Sequence, residues 1–224
     1  MEQLVKKENL ANLVAKKIRL SIILGNYPDG MHLAEPELAR EFGTSRGPIR
    51  DALLILVREG FLEKQITGRV VVRTFTAQDI HNLYEFRYML ECQSIMTALS
   101  QADRKLPIKE LLATADIMSR PITTTEEFSS RDMEFHRLLV SLSNNKSLLQ
   151  AWSVMEETIV SILEITNQGN PRADSIIGKH KAIIELLEKR DASNAVRLLK
   201  EHLVEAEEVM IKNISILTSG NGKR

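Results

Sequence analysis

The stretch Leu33-Ala-Glu-Pro-Glu-Leu-Ala-Arg-Glu-Phe-Gly-Thr-Ser-Arg-Gly-Pro-Ile-Arg-Asp-Ala-Leu53 reads as two short helices around a glycine turn. The first runs from about Glu35 to Phe42 and is stopped by Gly43; the second starts at Thr44 or Ser45, either of which offers a capping oxygen. Pro48 is tolerated there because first-turn amides have no intrahelical acceptor. Ile49, Ala52, Leu53, Leu56 and Val57 keep the spacing of a core-facing side, which leaves Arg46, Gly47 and Arg50 on the opposite face. Upstream, Leu10, Val14, Ile18 and Ile22 predict a helix over 10–24, broken by Gly25, Pro28 and Gly30. Downstream, Phe61 to Gln65 and Arg69 to Arg73 predict two strands joined by Ile66, Thr67 and Gly68, where glycine supplies the positive φ of a tight hairpin. Helix, helix, glycine turn, helix, hairpin is the order of a winged helix-turn-helix with a two-stranded wing.

A helix with one apolar side and one arginine-bearing side suits the major groove of DNA, where guanine acceptors receive arginine in bidentate fashion. Arg46 and Arg50 lie one turn apart and project together, and Gly47 leaves the backbone between them uncovered. Thr44, Ser45, Arg40, Lys64, Gly68 and Arg69 complete the candidate DNA-binding set, Lys64 and Arg69 flanking the wing tip within reach of phosphates. The competing reading leaves both arginines solvated or paired with Asp51 and Glu41. Formal net charge is zero, yet residues 1–75 hold 12 basic against 9 acidic side chains, a modest local excess of the sign DNA requires.

Beyond Phe75 the pattern becomes that of long amphipathic helices, which places a domain boundary after residue 75. Six helices are expected, near 77–101, 106–119, 124–143, 146–167, 171–190 and 192–217, as an antiparallel all-helical bundle over 76–218 with a disordered tail at 219–224. Thr124 with Glu127 forms a capping box, Asn170 precedes Pro171 as a cap, and Asp191 caps the last helix. The single cysteine, Cys92, rules out an internal disulfide, and no apolar run is long enough to span a bilayer, so a cytoplasmic protein without membrane contact is expected.

His136, His180 and His202 all fall on long bundle helices, and Asp132 sits one turn before His136. Residue 191 is the midpoint of His180 and His202, so an antiparallel hairpin folded there sets both at one height, each roughly 16 Å from the turn at about 1.5 Å per residue. Three imidazoles and a carboxylate suit zinc, nickel, manganese, cobalt or iron and leave positions free on an ion with five or six ligands.

The 33–53 run, with Glu59-Gly-Phe-Leu62 and Gly68, resembles the DNA-binding domain of the GntR family of bacterial transcription regulators. That resemblance implies operator contacts for Arg46 and Arg50; Pro36 stands where many members carry a DNA-contacting arginine, which leaves open whether that contact is lost or is replaced by one from Arg40. Tyr84-Glu-Phe-Arg-Tyr-Met-Leu-Glu91, Asp132-Met-Glu-Phe-His136 and the two later histidines resemble FCD, the helical ligand domain of the FadR and VanR branch. This second resemblance implies a divalent metal on Asp132, His136, His180 and His202, a small organic acid beside it, and Arg87 facing the same cavity, against a plain salt bridge to Glu91. The expectation is a homodimeric repressor of double-stranded operator DNA controlled by a small carboxylic or sugar acid. A metal-dependent hydrolase with an accessory winged helix and a purely architectural DNA binder remain as alternatives, although no H-E-x-x-H, nucleophile elbow or phosphate loop is present.

Overall fold

The computed structural model describes residues 10–101, 103, 105–119, 124–166 and 173–221. The chain divides into two compact units, one comprising residues up to Thr76 together with those from Ile214 onward, the other Ala77–Asn213.

The first unit contains α1 (Leu10–Ile23), α2 (Glu35–Glu41), α3 (Arg46–Arg58), β1 (Leu62–Lys64) and β2 (Val70–Val72). Val14, Ile18 and Ile22 of α1 meet Ile49, Ala52, Leu53 and Leu56 of α3 in a core closed by Leu38, Phe61 and Val72. Gly43 takes φ +62° between α2 and α3, and Gly68 takes φ +82° at the hairpin, the left-handed values that favour glycine. The wing pairs Leu62 with Val72 and Lys64 with Val70 in antiparallel register. One expected contact is absent: Ser45 occupies the N-cap of α3, but its side chain makes no capping hydrogen bond. The third helical residue, whose amide such a cap would accept, is Pro48 and has no N–H.

A buried ion pair ties α1 to the end of α3. Arg19 donates from Nε and Nη2 to the two carboxylate oxygens of Glu59, both at 2.8 Å, with the side chains only 3% and 7% exposed.

The elements of the second unit are helices among its described residues: α4 (Ala77–Ser100), α5 (Ile108–Met118), α6 (Thr125–Ser141), α7 (Lys146–Thr166), α8 (Ala173–Glu188) and α9 (Ala192–Asn221), of which the part up to Asn213 belongs to this unit. Its core holds Ile95, Leu111, Met133, Phe135, Leu139, Trp152, Ile159, Ile183 and Leu199. Thr124 caps α6 by accepting from the Glu127 amide at 3.1 Å, and Asp191 caps α9 by accepting from that of Asn194 at 3.1 Å. The Asn170–Pro171 cap lies outside the described residues. α9 continues to Asn221, past the expected bundle end at 218, because no proline follows to stop it and propagation adds one hydrogen bond per residue. Between α8 and α9, Arg190 adopts φ +56° and donates from Nη2 to the carbonyls of Leu99 and Gln101 at 3.2 and 2.5 Å, fastening the turn to the end of α4.

Removing one partner of the Arg19–Glu59 pair strands a charge in the core. Arg19→Met is expected to destabilise the protein by about 3–5 kcal/mol, whereas Arg19→Met with Glu59→Leu recovers most of the loss, as read from urea unfolding curves. A double variant as unstable as the single one contradicts this.

Candidate functional site

The site of the second unit is assembled from three helices. α6 supplies Asp132 and His136 one turn apart, and α8 and α9, antiparallel about Asp191, bring up His180 and His202. All four are buried, and their ligating atoms lie within 4.8 Å of one another. His202 Nε2 is 3.2 Å from His136 Nε2 and 3.3 Å from His180 Nε2, and Asp132 Oδ1 is 3.5 Å from His180 Nε2.

Burial pushes all three imidazoles well below the ordinary 6.5, with the positive charge of Arg87 acting in the same direction. The rings are therefore neutral, and a neutral ring carries one proton. Ionised beside the Arg87 guanidinium, Glu91 can only accept, so the 2.7 Å contact of its Oε2 with His136 Nδ1 requires the ring proton there and leaves Nε2 bare. A single proton on His202 Nε2 can serve only one of the two N···N contacts. Asp132 Oδ1 and His180 Nδ1 have no hydrogen-bond partner among the described residues, and burial pushes the Asp132 carboxyl up to about 6. Converging acceptors with too few protons repel one another unless a cation stands between them. Two nitrogens bound at about 2.0–2.1 Å to one ion, at tetrahedral to octahedral angles, lie roughly 2.9–3.4 Å apart, which brackets the observed separations. The donor set fits a divalent metal.

A cavity of about 50 Å³ adjoins the cluster, lined by Tyr84, Arg87, Asp132, His202, Ser175 and Lys179, among others. Arg87 is 1% exposed and donates from Nε to Glu91 Oε1 at 2.8 Å, so it makes the salt bridge and lines the cavity at once. Its Nη2 has no partner among the described residues. Burial works against this cation, but Glu91 and its other neighbours outweigh it and the Arg87 pKa rises. Burial likewise raises the Glu91 carboxyl against the pull of Arg87.

Sequence reasoning took Glu91 only as a partner of Arg87 and missed its contact with His136. The available signal was the buried stripe of α4, Ile80, Tyr84, Arg87, Glu91, Ile95 and Ala98, in which two charges occupy core-facing positions.

In the first unit, α3 presents Arg46, Gly47 and Arg50 to solvent, with Ser45 exposed and Thr44 half-buried at its start. Arg40 on α2 and Lys64, Gly68 and Arg69 on the wing are also exposed. A Cβ at Gly47 would meet nothing within 4 Å. Arg50 is held neither by Asp51 nor by Glu41, but by Glu35 on α2, to which it donates from Nε at 3.1 Å and Nη2 at 3.2 Å. Glu41 instead accepts from the Tyr27 hydroxyl at 2.7 Å.

The electrostatics of the buried cluster fix a pH dependence. Below about 6.5 the unfolded chain protonates its histidines while the folded cluster excludes the proton, so their contribution is present above that pH and lost below it. Asp132, pushed up to about 6, and Glu91, also raised by burial, act in the opposite sense, adding stability on acidification towards their unfolded values, but they are two groups against three. The Tm of metal-free protein is expected to fall between about pH 7.5 and 5.5, and His180→Asn to flatten the slope, in calorimetric scans. A pH-independent Tm in this range contradicts the assignment.

Residues 82–205 match the FCD domain family, and residues 10–72 match the gntR family of bacterial regulatory proteins. The chain is 28% identical over 191 residues to the uncharacterized HTH-type transcriptional regulator YdhC of Bacillus subtilis (strain 168), covering 84% of this chain and 83% of that one. It is 26% identical over 196 residues to the gluconate operon transcriptional repressor of Bacillus licheniformis, covering 84% and 80%. The solved structure of Lar, described as controlling the expression of the Listeria monocytogenes agr system, shares the fold with a TM-score of 0.73 at 21% identity, covering 95% of this chain and 98% of that one. These matches set aside the hydrolase reading of the histidine cluster. Among the described residues no helix is long and apolar enough to cross a membrane. With a gntR-type winged helix on one side of residue 76 and an FCD match over more than half its length on the other, the chain belongs to the GntR family, in its FCD-containing branch, as a DNA-binding transcription regulator and not an enzyme.

Proposed function

We propose that the protein is a homodimeric cytoplasmic repressor whose grip on a two-fold symmetric operator is controlled by a small carboxylic or sugar acid, bound beside a divalent ion on Asp132, His136, His180 and His202. The observation that carries this reading is the meeting of imidazole nitrogens and a carboxylate oxygen that cannot satisfy one another, next to a cavity lined by an arginine with an unpartnered Nη2. Zinc, nickel and manganese all accept such a donor set and keep a position open beyond four ligands. The ion supplies a Lewis-acid position for a carboxylate oxygen when bound. Arg87 adds a charge-assisted donor, and Lys179, held by Glu205 at 2.5 Å, brings a second cation to the lining. A volume of about 50 Å³ holds roughly four water-sized groups, so the smallest acids enter without displacing side chains. Neutral sugars find fewer partners. The relative named as the repressor of a gluconate operon supports the repressor sign.

On DNA, Arg46 and Arg50 read bases in the major groove, while Thr44, Ser45, Gly47, Arg40, Lys64, Gly68 and Arg69 approach the backbone. Glu35 pre-orients the Arg50 guanidinium in the DNA-free protein. For the acid to regulate, it must prefer one arrangement of the protein over another, and a typical coupling changes operator affinity roughly 5- to 150-fold.

Alanine at Arg46 or at Arg50 is expected to weaken specific operator binding by roughly 5- to 150-fold, with fold and dimer intact. Gel shifts at fixed salt read this directly, and unchanged affinity in both variants rejects the DNA face.

Elemental analysis of protein purified without chelator is expected to give about one divalent ion per chain, lost in His136→Ala, His180→Ala and His202→Ala. Calorimetric titration of hydroxycarboxylic acids, with and without operator DNA, tests control: linkage requires DNA to alter acid affinity by the factor by which acid alters DNA affinity. Protein that takes up no metal on titration, or acid binding indifferent to both metal and DNA, overturns the proposal.

A further inference from the structure

Among the described residues, two buried Arg–Glu pairs are built differently. In the first unit, Arg19 and Glu59 meet as a two-bond fork: two guanidinium nitrogens meet two carboxylate oxygens, both at 2.8 Å. In the second, Arg87 gives only Nε to Glu91 Oε1, and the other oxygen, Oε2, accepts from His136 Nδ1 at 2.7 Å. Arg87 Nη2 is left without a hydrogen-bond partner among the described residues although the side chain is 1% exposed, the guanidinium lying over the Tyr84 and Trp152 rings at 5.5 and 5.9 Å. A pair that served stability alone would close as the first does, since an unmet buried donor is costly. The open geometry leaves one group of the pair for each of two other tasks.

We propose that Glu91 is a positioning residue that joins the metal site to the acid site. This rests on the metal and acid reading above. A carboxylate accepts and does not donate, so the contact with Oε2 requires the proton of His136 on Nδ1 and its lone pair on Nε2, aimed at Asp132, His180 and His202. Through Oε1 the same carboxylate holds Arg87 by Nε and leaves Nη2 available to the cavity. One side chain thus sets the tautomer of a metal ligand and the aim of an anion donor, two elements apart in the chain.

Glu91→Gln tests this because it keeps the shape and removes one acceptor. If the amide oxygen faces Arg87, the NH2 group faces His136 Nδ1, which must then accept; the ring proton moves to Nε2 and blocks ligation. If the oxygen faces His136, the NH2 group opposes the Arg87 Nε–H and dislodges the guanidinium. The first outcome is the one expected, because the Arg87 cation competes more strongly for the oxygen than a neutral imidazole does.

The readouts are Ni2+ affinity by competition with a chromophoric chelator, Tm of the metal-free proteins, and 15N NMR of the His136 ring. Wild type is expected to show the proton of His136 on Nδ1 even without metal, and Glu91→Gln to bind Ni2+ roughly 10- to 100-fold more weakly with the proton shifted to Nε2. A lowered Tm with unchanged Ni2+ affinity assigns Glu91 a structural role only and overturns the proposal. Should Glu91→Gln fail to fold, the tautomer in metal-free wild type decides, since a proton on His136 Nε2 is incompatible with the proposed role. Wild type that binds no Ni2+ yet carries the Nδ1 proton overturns the metal reading while leaving the contact between Glu91 and His136 intact.

Discussion

A shortage of protons inside the helical unit governs much of its chemistry. Burial keeps His136, His180 and His202 neutral, and the Nδ1 proton of His136 is committed to Glu91, so more lone pairs point into one small volume than protons can bridge. Helices α6, α8 and α9 are held there by ordinary apolar packing around Phe135, Ile183 and Leu199, which overcomes the mutual repulsion of the acceptors. A fold that assembles such a cluster stores an unmet demand for positive charge. A divalent ion of the kind proposed would meet that demand, and an anion could follow it in.

The two units solve the problem of buried charge in opposite ways. In the winged helix the Arg19–Glu59 pair meets through two hydrogen bonds as a strut between α1 and the end of α3, while Arg46 and Arg50, the arginines proposed to read DNA, stand in solvent on α3. In the bundle, charge is buried beside the cluster: Arg87 and Glu91 lie among core residues of α4, with Arg87 lining the cavity and Glu91 in contact with His136. Exposed arginines answer to a polyanion that brings its own field, whereas a small acid needs a desolvated site to be held by a few contacts.

Much of this was legible in the residues. The stripe Ile49, Ala52, Leu53 and Leu56 fixes which side of α3 is buried, and therefore which side carries Arg46 and Arg50. Gly43 and Gly68 mark turns whose backbone only glycine adopts freely. Equal spacing of His180 and His202 about Asp191 is enough to bring the two rings together once α8 and α9 fold back on each other. What escaped were contacts between side chains on different elements. The partner of Arg50 is on α2, and the second partner of Glu91 is on α6, 45 residues away. No local pattern encodes such distances; they follow from how helices pack, which periodicity constrains only as to face. The uncapped start of α3 had a local cause, a proline where the amide was needed, and was open to sequence reasoning.

The turn between α8 and α9 is more than a connection. Arg190, in left-handed backbone and donating to the carbonyls of Leu99 and Gln101, locks the length of the hairpin as well as its place against α4. Adding one residue to α8 between His180 and the turn would swing the ring by about 100° and lift it about 1.5 Å, and no side-chain rotation restores a nitrogen to the same point. Most helix–helix loops accept insertions and deletions freely; this one counts residues. Side chains around the cavity can therefore be exchanged without moving the backbone, but the eleven-residue arms on either side of Asp191 form a ruler whose length must be kept if the cluster is to survive.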